Sequence, residues 1–403
     1  MTSGHKTKVI QHQGGMGVRR TSIVFHTVAF CITFIAGACF SGRDGAPARS
    51  AVLFIGDGMG PQIVSIVKVY AERSLGRELN MVRLANSGVT GLMTTNAEDK
   101  LVTDSAASGT AMATGSKTNN GVLGMTSDGQ VVKNLFEDAV EHGKSVGVVT
   151  TSSVTDATPA VFMAHATSRE LHYDIARQII ESDVSVVMGG GTWFFFPPKR
   201  GKRPDGVDLT DRARELGFEV VLTLHELETS SGRRLLGLFA PECLPYERSR
   251  DEVKIPSLSE MTDRALDILD DDPEGFLLVV EGGRIDHAEH ENSIQDAIAD
   301  LLAFDDAIGH AMAYQEQDST LTIVVTADHD CGGPAITGTS YAYPSYDYLE
   351  KIVEGKSQFL RWISGHHTAT MVPVFAGGPG AERFGGVLDN AHLHDILEWL
   401  LGF

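Results

Sequence analysis

Residues 281–290 read Glu-Gly-Gly-Arg-Ile-Asp-His-Ala-Glu-His, and the rest of the chain is organised around this stretch. The preceding run Gly275–Val280 is short and apolar, which predicts a buried strand. Two glycines end that strand, and a helix is predicted from Ile285 onward. Glu281 therefore lies at the carboxyl end of a strand, where open α/β sheets build their sites.

Asp286 and His290 lie one helical turn apart, so a helix places both on the same face. Together with Glu281 they offer oxygen and nitrogen ligands that suit Zn²⁺ or a harder neighbouring metal. Taken alone, the stretch is equally typical of a solvated helix start that Asp286 caps. Three other stretches with matching ligands favour the metal interpretation.

The overall composition is that of a globular protein. The chain has 403 residues, 42% of them hydrophobic and 21% charged, which is enough for one large α/β domain or two ordinary ones. The formal net charge of −20 argues against non-specific nucleic-acid binding, which requires a basic surface. It does not exclude an anionic substrate, because metals and arginines can reverse the potential locally.

The N-terminus predicts export. Residues 1–38 contain no acidic residue, and the apolar run Ile23–Ala38 has the length of a signal peptide rather than of a membrane span. Ala36-Gly37-Ala38 fits a cleavage site, Cys39 permits lipid modification, and Arg19-Arg20 suggests twin-arginine export. An uncleaved anchor helix is the alternative. The mature protein is thus expected outside the cytoplasm, free or tethered to a membrane at its N-terminus.

Strands and helices alternate through the rest of the chain. The pattern predicts an α/β three-layer sandwich with a mostly parallel central sheet flanked by helices and a metal site at the C-terminal strand ends. Thr192–Asp208 is expected to be a surface excursion, and Gly332–Gly365 an irregular insertion over the site. The predicted division is an export segment 1–38, a linker 39–50 and one domain 51–403.

Gly56–Pro61 follows the strand Ala51–Ile55 and carries Asp57. The glycines suggest a dinucleotide fingerprint, but Pro61 replaces its last glycine and Asp57 would face the pyrophosphate. Asp57 is better interpreted as a metal-ligating carboxylate, and a helix-capping role is the alternative.

Ser105 is a candidate nucleophile at the start of a predicted helix, with Thr103 or Asp104 as its cap. A helix N-terminus suits a serine that attacks phosphate. No histidine-based triad is evident, so activation would fall to a metal. A small-residue helix in which Ser105 is merely polar is the structural alternative.

Two further stretches offer ligands. Asp156 and Thr158 provide oxygens for a hard cation such as Mg²⁺. Arg169 can bind two phosphate oxygens at once in a bidentate geometry. Asp328 and His329 follow the strand Thr320–Thr326. A turn is the alternative for Asp156 and Thr158, and a surface ion pair is the alternative for Arg169.

The pair His366-His367 precedes a further strand, and one of the two is a credible metal ligand. Of four cysteines, only Cys243 and Cys331 lie outside the export segment and its border. A disulfide between them is possible in an exported protein, but sequence alone does not bring them within reach of each other.

In these motifs the chain resembles the alkaline phosphatase family from about Ser50 to Phe403. The resemblance rests on stretches that occur in the family's order: Gly-Asp-Gly-Met-Gly at 56–60, Thr-Asp-Ser-Ala-Ala-Ser-Gly-Thr at 103–110, Asp-Ala-Thr-Pro-Ala at 156–160, His-Ala-Thr-Ser-Arg at 165–169, the stretch at 281–290, Thr-Ala-Asp-His at 326–329 and His-Thr at 367–368.

The resemblance implies a phosphate monoesterase with two Zn²⁺ and one Mg²⁺, a phosphoseryl intermediate on Ser105, an alkaline pH optimum and Arg169 as phosphate clamp. It implies a homodimer and small phosphomonoester substrates. It assigns the metal ligands as follows: Asp286, His290 and His367 for one zinc; Asp57, Asp328 and His329 for the other; Asp57, Thr158 and Glu281 for magnesium, with Asp156 acting through a water. His287 departs from members that have Lys there, which affects phosphate binding and the preference of the third metal.

Other functions fit less well. A phosphodiesterase or phosphonate hydrolase shares the two-metal site but usually has a threonine nucleophile. A sulfatase needs a Cys/Ser-x-Pro-x-Arg setting that the sequence around Ser105 lacks, and a mutase would need an inserted domain. A non-catalytic metal- or phosphate-binding protein is the alternative from another class, and chelation would distinguish it from an enzyme.

Overall fold

The computed structural model describes residues 47–403, and the predicted export segment lies outside the described residues. Its strands are β1 (Ser50–Ile55), β2 (Val89–Thr94), β3 (Ser145–Ser153), β4 (Val186–Gly190), β5 (Glu219–Val221), β6 (Leu235–Leu238), β7 (Phe276–Glu281), β8 (Leu321–Thr326), β9 (Asp330–Cys331), β10 (Ala335–Ile336), β11 (Leu360–Arg361), β12 (His367–Thr368), β13 (Val372–Gly377) and β14 (Gly386–Asp389).

The helices alternate with these strands along the chain. They are α1 (Pro61–Tyr70), α2 (Asn80–Ser87), α3 (Ser105–Thr114), α4 (Leu135–Glu141), α5 (Ala157–Ala160), α6 (His172–Glu181), α7 (Thr192–Phe195), α8 (Leu209–Glu215), α9 (Leu224–Thr229), α10 (Leu258–Leu269), α11 (Arg284–His290), α12 (Ile294–Gln315), α13 (Leu349–Val353) and α14 (Asn390–Leu401). None of the helices within residues 47–403 is long and apolar enough to cross a membrane.

One large sheet forms the centre of the molecule, with strand order β14-β2-β13-β8-β1-β7-β3-β4-β6-β5. Strand β13 runs antiparallel to its neighbours β2 and β8, and the other pairs in this sheet are parallel. Every residue of β1, β7 and β8 is buried, as expected for strands covered on both faces. Helices α10 and α12 pack together, as do α3 and α14, and helices flank the sheet. The predicted fold class is confirmed.

The central strands bring the site together. Strands β8, β1, β7 and β3 are adjacent and parallel, so their carboxyl ends meet at one edge of the sheet. Ile55 pairs with both Glu281 and Thr326, which sets the ends of three strands at the same height. Backbone hydrogen bonds continue one residue beyond the strands, from Gly56 N–H to Thr326 O and from Gly282 N–H to Ile55 O, each at 2.9 Å.

The last residues of the predicted linker are hydrogen-bonded to the domain. The backbone N–H of Ala48 donates to Leu400 O, and that of Arg49 to Thr320 O, so the last residues of the predicted linker pair with the domain. The division at 38 and 50 stays a prediction. Strand β14 and helix α14 close the sheet and are not predicted above.

The prediction that Thr192–Asp208 is a surface excursion is wrong for the aromatic residues of this stretch. Phe194, Phe195 and Phe196 are buried, and the Phe194 ring stacks on that of His172 with centroids 4.5 Å apart. Helix α7 turns the three rings inward because burying them removes a large apolar area from water. The insertion Gly332–Gly365 contains β10, β11 and α13 and ends at the site.

Phe304 supports the sheet beneath the site. Its ring meets that of Phe54 edge-on with centroids 5.7 Å apart, and both side chains are buried. We expect Phe304→Ala to lower the free energy of unfolding by about 3–5 kcal/mol because it leaves a cavity. The control Tyr341→Ala removes a side chain that is 100% exposed and should change little. Urea unfolding followed by circular dichroism measures both, and equal effects would contradict this packing account.

Candidate metal and phosphate site

Acidic side chains line the shared edge of the central strands. Asp57 follows β1, Glu281 ends β7, Asp328 follows β8, and Asp156 caps the short helix after β3. All four are buried or half-buried. Burial of several carboxylates at one place is costly unless cations offset their charge.

Two imidazole nitrogens face each other at this edge. His290 Nδ1 donates to Gly365 O at 2.8 Å, and His367 Nδ1 donates to Thr103 O at 2.9 Å. These bonds fix the tautomer, so each Nε2 presents a lone pair when its ring is neutral. The two Nε2 atoms lie 3.0 Å apart. Two lone pairs at this distance repel each other unless a proton or a metal ion lies between them.

Asp286 completes this group. Its Oδ2 lies 3.2 Å from His290 Nε2, and its Oδ1 lies 3.6 Å from His367 Nε2. The hydrogen bond with Asp286 raises the pKa of His290 to about 9, whereas burial and the nearby His329 lower the pKa of His367 to about 4. The three side chains thus form an oxygen and nitrogen set that a divalent cation can hold without protons.

A second group surrounds His329, which is fully buried. His329 Nε2 lies 3.1 Å from Asp328 Oδ2, 3.5 Å from Asp57 Oδ1 and 3.2 Å from Ser105 Oγ. A single proton on Nε2 cannot serve three oxygens at once, but a cation between them can.

A third group lies between Asp57 and Glu281. Thr158 Oγ1 donates to Asp57 Oδ2 at 3.4 Å, and Thr150 donates to Glu281. Burial raises the pKa of Glu281 to about 8, and burial together with the neighbouring carboxylates raises the pKa of Asp57 well above its usual value. This all-oxygen set matches the preference of Mg²⁺.

Ser105 and Arg169 are in hydrogen-bond contact with residues of this cluster. Ser105 is the first residue of α3, and Asp104 caps that helix by accepting from Ala107 N at 3.0 Å, as predicted. Arg169 donates to Asp156 Oδ1 at 2.8 Å and to Asp104 Oδ2 at 3.4 Å. Two carboxylates thereby orient the guanidinium beside the serine, where it can bind phosphate oxygens.

Glycines allow the loop after β1 to approach the site closely. Gly58 has a φ of +73°, and a Cβ there would lie 2.9 Å from Asp286 Oδ1. A Cβ on Gly60 would lie 1.7 Å from Asp330 Oδ1. The helix α1 is capped by Gly60, so the capping alternative for Asp57 is wrong.

The residues present fit metal ions. Several buried carboxylate oxygens of the site have no hydrogen-bond partner among the described residues, and all of them are suitable metal ligands: Asp57 Oδ1, Glu281 Oε1, Asp286 Oδ1 and Asp328 Oδ2. Buried polar atoms are rarely left unpartnered in native proteins. Cations therefore explain these atoms better than packing does.

The structure brings the predicted site residues together. Ser105 and Arg169 lie beside Asp57, Asp156, Thr158, Glu281, Asp286, His290, Asp328, His329 and His367. Cys243 and Cys331 are both free, so no disulfide links them. The sequence analysis missed that Cys331 Sγ joins the group around Asp286.

Comparison with known proteins identifies the family. A family model described as alkaline phosphatase matches residues 48–353. The chain belongs to the alkaline phosphatase family. This match confirms the resemblance that the motifs indicated. As a member of this family, the protein is a phosphatase that hydrolyses phosphate monoesters.

Named relatives and solved structures agree with this assignment. Alkaline phosphatase 4 of Bacillus subtilis is 31% identical over an alignment of 420 residues, and the alignment covers 88% of this chain and 89% of that protein. The alkaline phosphatase structure from Thermus thermophilus has a TM-score of 0.80 at 31% identity and covers 89% of this chain and 92% of that one. A variant of the alkaline phosphatase from the Antarctic bacterium TAB5, solved with Mg bound in its M3 site, has a TM-score of 0.77 at 33% identity and covers 88% of this chain and 98% of that one.

The unpartnered ligand atoms predict that metal removal destabilises this alkaline phosphatase. The protein is first freed of metal with a chelator. Zinc added at one hundred times the dissociation constant of the unmodified protein should then raise its free energy of unfolding by about 2.7 kcal/mol, and the variant is measured at the same zinc concentration. Urea unfolding with and without zinc measures this gain. Asp286→Asn should reduce the gain because it removes a ligand oxygen.

A matched control is Asp305→Asn. Asp305 is a buried carboxylate outside the site that accepts from the backbone N–H groups of Asn80 and Met81, each at 2.9 Å. This variant should be less stable yet keep the full zinc-dependent gain. A gain in Asp286→Asn as large as in the unmodified protein would contradict the ligand assignment.

Proposed function

We propose that this alkaline phosphatase hydrolyses small phosphate monoesters through a phosphoseryl intermediate, with two zinc ions and one magnesium ion, fastest at alkaline pH. The observation that supports it most is the 3.0 Å approach of the His290 and His367 Nε2 atoms beside Asp286. Only a cation or an extra proton makes that arrangement favourable. Magnesium in the TAB5 relative supports the third ion.

The proposed ligands fall into the three groups around the strand ends. We assign Asp286, His290 and His367 to one zinc, Asp57, Asp328 and His329 to the other, and Asp57, Thr158 and Glu281 to magnesium, with Asp156 acting through a water. When bound, the ions would lower the pKa of the serine hydroxyl and neutralise charge on the transferred phosphoryl group.

The chain's own residues position the reaction. Ser105 Oγ would attack phosphorus in line with the departing oxygen, and a water would later displace the serine from the phosphoseryl intermediate. Arg169, held by Asp156 and Asp104, would bind the non-bridging oxygens. The N-terminus of α3 carries backbone N–H groups and the positive end of the helix dipole to the same place.

A groove next to Arg169 would receive the rest of the substrate. It has a volume of about 720 Å³, and its lining includes Asp156, Arg169, Phe194 and His287. Arg284 donates to His287 Nδ1 at 2.8 Å, so neutral His287 carries its proton on Nε2 and can donate a hydrogen bond. Phosphate binding by His287 would therefore differ from that of relatives with a charged lysine.

The N-terminal sequence favours export, and the family resemblance favours a dimer. We propose an exported enzyme, cleaved after residue 38, lipidated at Cys39 or anchored by its N-terminus, and acting as a homodimer. The substrates would be small phosphomonoesters recognised mainly through the phosphate. Nucleic-acid binding is not expected for a chain with a net charge of −20.

Ser105→Ala tests the nucleophile. We expect turnover of p-nitrophenyl phosphate to fall by about 10⁴-fold or more, because loss of a nucleophile removes a whole reaction route. Zinc and magnesium contents should stay near those of the unmodified enzyme. Thr114→Ala is the matched control. Thr114 ends the same helix, and among the described residues its hydroxyl bonds only Thr110 O at 2.8 Å and Ser116 N at 3.2 Å. Metal loss in Ser105→Ala would mean that the serine is structural.

Asp328→Asn tests the second zinc group. The exchange keeps the shape of a fully buried side chain but removes its negative charge. Zinc content by elemental analysis and monoesterase activity should fall together. A variant with a normal zinc content would show that Asp328 is not a ligand, even if its activity is low.

A further inference from the structure

Cys331 lies in the ribbon that carries one of the proposed zinc ligands. Strand β9 (Asp330–Cys331) pairs antiparallel with β12 (His367–Thr368), and Cys331 is directly opposite His367. The Cys331 N–H donates to Gly58 O at 3.1 Å, which ties the ribbon to the loop after β1. The side chain is fully buried.

The sulfur converges with three other donors. One ligand atom from each of Asp286, His290, Cys331 and His367 lies within 4.8 Å of the others. The set contains one oxygen, two nitrogens and one sulfur, all of which are zinc ligands in proteins. The two histidines already direct their Nε2 lone pairs to this place.

We propose that Cys331 Sγ is a fourth protein ligand of the ion held by Asp286, His290 and His367, and that this makes the position selective for a thiophilic divalent ion such as zinc. This inference rests on the proposed metal centre and adds a ligand to it. Thiolate sulfur favours zinc over magnesium, whereas carboxylates and waters do not make that distinction.

Binding at this position would replace a proton by the metal. The Cys331 S–H bond breaks, a sulfur–metal bond forms, and the proton leaves to solvent with no change of oxidation state. A cysteine without a metal is mostly a thiol at neutral pH, since its ordinary pKa is about 8.5. A bound cation inverts this balance because it stabilises the thiolate directly. Catalytic zinc sites sometimes expand to five ligands in the transition state, so a fourth protein donor would be compatible with phosphate binding at this ion.

The other cysteine of the domain provides a control. Cys243 is half-buried and free, and it lies near Asp156 and His287 instead. A disulfide therefore does not account for the burial of Cys331. The competing explanation is that Cys331 is only a small apolar side chain packed in the ribbon.

Cobalt substitution of the full chain tests the proposal. Metal-free protein is titrated with Co²⁺, and the near-ultraviolet sulfur-to-cobalt charge-transfer absorption is recorded. We expect the absorption in the unmodified chain and in Cys243→Ser, and its loss in Cys331→Ser. Competition with a chelator should show at least a tenfold weaker zinc affinity in Cys331→Ser, about the smallest effect of losing a supporting contact of a metal ligand.

Three results would overturn the proposal: no charge-transfer absorption with cobalt bound, absorption that persists in Cys331→Ser, or absorption that disappears in Cys243→Ser instead. X-ray absorption of the zinc form does not depend on any variant folding, and it should show a sulfur neighbour at about 2.3 Å. A zinc spectrum with only oxygen and nitrogen neighbours would also refute the sulfur ligand.

The outcome is separable from that of the proposed function. An enzyme that is metal-dependent and active but shows no sulfur neighbour would refute the Cys331 ligand alone. A protein that binds no zinc or cobalt at all would refute the proposed metal centre together with it.

Discussion

Mutual repulsion among buried carboxylates is the constraint on which the rest of this structure depends. Asp57, Glu281, Asp286 and Asp328 are buried at one edge of the sheet, and within residues 47–403 the ion pairs of Arg169 are with the neighbouring Asp156 and Asp104. Unpaired buried charges cost several kcal/mol each. Bound cations relieve that cost, and the unpartnered ligand atoms show where they would lie. The free energy of folding is thereby linked to the free energy of metal binding.

The parallel sheet explains how such a site stays precise. Strands β8, β1 and β7 are hydrogen-bonded side by side, so their ends carry ligands on the most rigid part of the molecule. The nucleophile and the arginine come from elsewhere, and each is oriented by a carboxylate: Asp104 caps the helix of Ser105, and Asp156 holds Arg169. Positioning and charge neutralisation are the main needs of phosphoryl transfer, and both come from the same edge.

Sequence reasoning predicted the elements whose pattern is local. The apolar runs before Asp57, Glu281 and Asp328 identified strand ends, and parallel strands bring their ends together. The sequence pattern could not predict contacts between residues that lie far apart in the chain. Cys331 lies at the site because β9 pairs with β12. The spacing of residues along the chain does not predict that pairing. Phe194–Phe196 looked like a surface stretch because basic residues and prolines follow, yet the short helix α7 buries the rings.

The most direct measurement is hydrolysis of p-nitrophenyl phosphate against pH by the purified chain, with metal content determined on the same sample. The account predicts activity that rises into the alkaline range, disappears when a chelator removes the metals, and returns with zinc and magnesium. Full activity in protein shown to be metal-free would contradict it. So would a zinc-loaded protein with no monoesterase activity, because Ser105 would then have no role as nucleophile.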